Sequence, residues 1–133
     1  MTHLATAKFK IAGWDEKPYA QLENGGKLTR ASVKQSISGD IEGEGAVDWL
    51  MCYRPDETAE FIGLQRITGR IGGRSGSFVL LQTGGTFDGQ EAKGDLSVVP
   101  GSGTGDLRGL RGEGGFKAPL GSEAAVRLNY EFE

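Results

Sequence analysis

Six consecutive residues near the N-terminus, Trp14-Asp15-Glu16-Lys17-Pro18-Tyr19, gather the side chains best suited to holding a small molecule. Trp14 and Tyr19 offer aromatic walls, and Glu16 offers a carboxylate that a desolvated pocket could use as acid or base. Tyr53, Gln65 and Arg66 are expected to join them from neighbouring strands, with Arg66 fixing an acidic head group. In the competing reading Trp14 closes the floor of the fold and Glu16 pairs with a lysine or arginine. Elsewhere the reactive residue types are sparse. His3 is the single histidine and lies at the chain end, so Ser-His-Asp and Cys-His catalysis lack their base. Without a second histidine or cysteine there is no zinc set either. Cys52 reads as a small core residue, and Asp40, Glu42 and Glu44 as a solvated strand face. No catalytic residue is therefore assigned, and neither a metal nor a cofactor is expected.

The elements that must position these residues are strands. Twenty-three of the 133 residues are glycine, far above the roughly 7% that is usual. They have no three-residue period, and only four prolines accompany them, which excludes collagen and argues against a disordered linker. Turns, bulges and bends are what remains for them. Between the glycines the apolar pattern alternates. The expected strands run from Leu4 to Trp14, Leu28 to Ile37, Ile41 to Tyr53, Phe61 to Ile71, Ser75 to Thr83, a segment from Asp88-Gly89 to Val99, and Ala124 to Phe132. Pro18 is read as ending the first of them in an elbow. A single helical turn fits only near Thr104 to Leu110.

Residues 1–133 thus form one all-β domain with little helix, a small antiparallel closed barrel of about eight strands. Glycines inside strands (Gly43, Gly45, Gly63, Gly76) supply the curvature a closed sheet needs. The central strands are apolar on both faces. Val47, Trp49, Met51 and Tyr53 lie opposite Ala46, Leu50 and Cys52, and Phe61 and Ile67 lie opposite Ile62 and Leu64. Which face turns inward stays open, and the surplus predicts a homo-oligomer formed through outer strand faces.

The Trp14–Tyr19 stretch, the run Phe61-Ile62-Gly63-Leu64-Gln65-Arg66-Ile67-Thr68-Gly69, Gly73-Arg74-Ser75-Gly76-Ser77-Phe78, and the segment from Pro100 to Gly112 together resemble the bacterial domain-of-unknown-function family 3224. That resemblance spans nearly the whole chain and implies a barrel of the allene oxide cyclase-like type. The Gly-Thr-Gly-x-Leu-x-Gly-Leu-x-Gly portion is similar in form to a segment of plant allene oxide cyclases and dirigent proteins. No active-site motif of those cyclases aligns outside it.

In that segment Gly101, Gly103, Gly105, Gly109 and Gly112 read as structural. A phosphate loop would need a strand–loop–helix unit and a Gly-Lys-Ser/Thr ending, and neither is present. Leu107 and Leu110 are expected to plug one barrel end. A formal charge of −3 argues against nucleic acid and anionic membrane as partners. With no signal-like or spanning apolar run, a cytoplasmic protein is expected. The function these residues favour is a binding module for a small, largely apolar ligand at the barrel interior or mouth. The alternatives are a cofactor-free isomerase or cyclase using Glu16, and an assembly role without ligand.

Overall fold

The computed structural model describes residues 2–133. Eight strands follow one another as β1 (His3–Gln21), β2 (Lys27–Gly39), β3 (Ile41–Tyr53), β4 (Ala59–Ile71), β5 (Arg74–Phe87), β6 (Glu91–Val98), β7 (Leu110–Pro119) and β8 (Ala124–Phe132). Each pairs antiparallel with the next, and β8 pairs back on β1 to close the barrel. Among the described residues the helical content is one short turn, Gly105–Leu107. No helix among the described residues is long and apolar enough to cross a membrane.

Period-two alternation decides which way the strands face. In β3 Val47, Trp49 and Met51 are buried while Ala46, Asp48, Leu50 and Cys52 are exposed, and in β4 Phe61, Gln65 and Ile67 point inward. Cys52 therefore belongs to the outer wall, not to the core. Its parity with Leu50 across a pleated strand leaves no other choice.

Two strands differ from the sequence reading for identifiable reasons. β1 does not end at Trp14 in an elbow around Pro18. It continues to Gln21, with register shifts between Ile11 and Gly13 and between Pro18 and Ala20. β8 accompanies β1 only from His3 to Phe9, so the rest of β1 is an edge, where a proline is tolerated. β7 is a full strand even though it runs through the glycine segment. Its inward positions Gly112 and Gly114 carry no side chain because Tyr130 and the backbone of Arg127 and Leu128 on β8 fill that space.

The inward side chains form two apolar clusters. One, at the end where β1 begins, packs Phe9, Ile41, Ile67, Ile71, Phe78, Leu107, Leu110 and Leu128 without interruption. Leu107 and Leu110 are fully buried there and plug that end as expected. The chain between β6 and β7 is strapped across β5: Val99 N–H donates to the Val79 carbonyl at 2.9 Å and Thr104 N–H to the Ser77 carbonyl at 2.8 Å. The hydroxyls of Thr104 and Ser102 in turn accept from the N–H groups of Ser77 and Val79, each at 3.0 Å. Gly101, Gly105 and Gly109 take left-handed φ angles along the strap, and Gly103 and Gly112 lie where a side chain would meet backbone. At the other end, Ala31, Val33, Val47, Trp49, Met51, Ala59 and Phe61 form the second cluster.

Gly76 shows how tight the strap is: a methyl group there would collide with the Thr104 carbonyl oxygen, and both partners are backbone. Gly76→Ala should lower stability by roughly 3 kcal/mol, through overpacking that no rotamer change relieves. Gly73→Ala, at φ +77° with nothing within 4 Å, should cost only about 1 kcal/mol for its backbone conformation. Urea denaturation midpoints of the two variants check the order, and equal midpoints would contradict the strap.

Candidate ligand-binding site

Within the second cluster the barrel is not filled. Trp14, Trp49, Phe61 and Phe116 follow one another around the wall, with ring centroids 5.7, 5.6 and 6.2 Å apart. They enclose a chamber of about 300 Å³. Three of these rings lie over a glycine on the paired strand: Trp49 over Gly63, Phe61 over Gly85 and Phe116 over Gly94. A Cβ at any of the three would run into the ring it underlies. The glycines let the rings lie flat against the wall, so the rings line the space and do not fill it. Gly63, expected to bend the strand, thus also serves as the floor beneath an indole.

The chamber's mouth follows from the length of β1. Beyond Phe9 no backbone hydrogen bond joins β1 to the β7–β8 hairpin among the described residues. Ile11 and Trp14 line the chamber on one side of this gap and Leu120 and Ser122 on the other. Ile11, which pure alternation assigns to the core, is half-exposed because its neighbour strand has ended. Leu120 at the hairpin tip is 73% exposed.

Where the filled and open halves meet, three buried glutamines cross the interior. Trp49 Nε1 donates to Gln82 Oε1 at 2.5 Å, Gln82 Nε2 donates to Gln65 Oε1 at 2.9 Å, and Gln65 Nε2 donates to Gln35 Oε1. Two of these links skip a strand. Trp49, Gly63 and Gln82 occupy one row across β3, β4 and β5, so the bare Gly63 lets the indole reach over. Gly45 on β3 does the same between β2 and β4, since a Cβ there would stand 3.2 Å from Gln65 Nε2. Every chamber-lining side chain is uncharged.

Glu16 takes no part in this belt. Its carboxylate accepts from Trp14 Nε1 at 3.1 Å and from Thr29 Oγ1 at 2.7 Å. It is thus held by neutral donors, and among the described residues no lysine or arginine is paired to it. The Tyr53 hydroxyl donates to Met51 Sδ at 3.8 Å and is near enough to this carboxylate to feel its charge. Burial, reinforced by Glu16, raises the phenol far above its ordinary value, so Tyr53 is neutral. Glu16 lines a separate, open depression with Lys27, Arg54 and Glu57 and does not line the chamber.

Of the six residues singled out from sequence, the structure brings Trp14, Tyr53 and Gln65 to the chamber and puts Glu16 just outside it. Tyr19 is exposed on the outer wall beside Leu28, Leu50 and Ile62. Arg66 is not at the chamber. It follows inward-facing Gln65 on β4, so alternation turns it to solvent, and it cannot fix a head group inside. Gln35, Gln82 and Phe116 also line the chamber and are not among those six. Glutamines at inward parity in otherwise apolar runs, such as Gln82 after Leu80, were the available signal. The acidic run is exposed as expected, and no group of three metal-ligating side chains occurs among the described residues.

Fold and site together define an up-and-down β-barrel, closed at one end and chambered at the other. The chain belongs to the family described as "Protein of unknown function (DUF3224)", whose model matches residues 5–130. A crystal structure of a protein with unknown function from the same family, from Shewanella oneidensis MR-1, is similar to it with a TM-score of 0.80 and 26% identity, covering 100% of this chain and 99% of that one. No curated protein matches at a significant level.

Proposed function

We propose that this barrel is a binding module for one small, largely apolar molecule held in the aromatic chamber. The observation that carries this reading is the row of glycines under Trp49, Phe61 and Phe116. A barrel of eight strands has an interior just wide enough to be filled by side chains or to hold one small ligand. Here one half is filled and the other is kept open by residues that withhold their side chains. An uncharged aromatic lining and a volume of about 300 Å³ suit a compact apolar ligand. Isomerase or cyclase chemistry driven by Glu16 is less well supported, because that carboxylate is held by Trp14 and Thr29 outside the chamber.

A neutral fluorescent probe, phenylnaphthylamine, should brighten on binding and quench tryptophan emission. Ala118→Phe adds a ring from the lining at the mouth and should reduce that binding at least tenfold while leaving the far-ultraviolet circular dichroism unchanged. A wild-type protein whose emission ignores the probe up to its solubility limit would sink the reading.

We also propose that the outer face of β4 meets a second copy of the chain. Leu50, Ile62 and Leu64 are each about half-exposed there, with Leu81 beside them. Leu50 pairs directly with Ile62, and Leu64 with Leu81, giving one continuous apolar patch. The outward row of β4 reads Glu60, Ile62, Leu64, Arg66. A two-fold axis through Gly63 would set Ile62 against Leu64 and Glu60 against Arg66 of the copy, the self-complementarity that an isologous contact needs. Sedimentation equilibrium should give a dimer, and Ile62→Lys should give a folded monomer. A wild-type monomer at tens of micromolar would contradict this.

A further inference from the structure

Granting the binding reading above, the remaining question is which class of molecule the chamber takes. We infer that its ligand is a neutral, largely apolar carbonyl compound whose oxygen accepts a hydrogen bond from Gln35 Nε2. The direction of the buried chain leads to this. An indole N–H can only donate, so Trp49 obliges Gln82 to present its oxygen. Gln82 must then offer nitrogen to Gln65, and Gln65 nitrogen to Gln35. Neither amide can flip without placing two donors or two acceptors against each other.

The last group in the chain is the Gln35 nitrogen. It has no protein acceptor among the described residues, although the Gln35 residue is only 7% exposed. No fully enclosed side-chain nitrogen or oxygen among the described residues lacks a partner, so this nitrogen has open space before it. Gln35 lines the chamber, and the chamber is that space. A donor held in an apolar chamber selects a ligand that brings an acceptor.

The remaining chemistry narrows the class. A carboxylate would enter a chamber without a charged side chain on its lining, and a single amide donor does not offset that desolvation. An alcohol oxygen accepts from Gln35 as well, but its own hydrogen must then share an amide oxygen that already accepts once, which makes it the weaker match. A ketone, aldehyde or ester oxygen needs only what Gln35 supplies, and its apolar body meets Trp49, Phe61 and Phe116.

The test uses three naphthalenes of similar shape on the intact protein: acetylnaphthalene, ethylnaphthalene and naphthoate. Calorimetry should show both neutral compounds binding more tightly than naphthoate. The infrared carbonyl stretch of bound acetylnaphthalene should move to lower wavenumber than in an alkane solvent. Gln35→Leu should abolish that shift and reduce the acetyl-to-ethyl affinity ratio by about tenfold, the worth of one hydrogen bond. An unshifted stretch on the wild-type protein overturns the inference even if the variant fails to fold. Tighter binding of naphthoate than of both neutral compounds also overturns it, and in either case the binding reading survives. If none of the three binds, the binding reading falls and the inference falls with it.

Discussion

A single hydrogen-bonded chain with only one permitted direction organises the interior of this barrel. Because the Trp49 indole is a donor and nothing else, the orientation of three successive amides follows from it. Buried amides left unpaired are costly, and every group of this chain except the chamber-facing Gln35 nitrogen has its partner within the protein. The chain also ties β2, β3, β4 and β5 together through side chains, at the level where the barrel changes from filled to open. Its strand-skipping links require the intervening positions to be bare, so Gly45 and Gly63 are bound to the same constraint as the glutamines they separate.

That constraint links packing to function. On one side of the belt, branched aliphatic side chains and Phe78 fill the lumen, and the glycine-rich strap closes the end over Leu107 and Leu110. On the other side, large rings rest on glycines, and the wall is interrupted where β1 outruns β8. A chamber, a polar belt at one end of it and a lateral mouth all arise from side-chain size and strand length. The outer wall adds a separate feature, since its apolar row on β4 is flanked by charges of opposite sign.

Much of this was legible in the sequence, and the failures have physical causes. β3 and β8 could be bounded to the residue because alternation is strong and turn residues flank them, as with Ser38-Gly39-Asp40 before Ile41. β7 was hidden because its inward positions are glycines whose space is filled from β8, so it carries no hydrophobic signal of its own. Pro18 argues against a central strand, and nothing local reveals that β1 is an edge there. Arg66 is compatible with the site as long as the inward face of β4 is open. One buried neighbour, Gln65, fixes that face and sends Arg66 outside. The aromatic walls were half visible, with Trp14 and Tyr53 named and Phe116 missed, since a lone phenylalanine in a glycine run has no periodicity to mark it.

The direction of the glutamine chain and its free end decide what the chamber can bind. Proton exchange of side-chain groups, followed by nuclear magnetic resonance on the ligand-free protein, measures both. The Trp49 indole proton and the bonded amide protons of Gln82 and Gln65 should exchange slowly, and the Gln35 amide protons should exchange rapidly with water in the chamber. Gln35 protons as protected as those of Gln65, or a rapidly exchanging Trp49 indole proton, would contradict this arrangement.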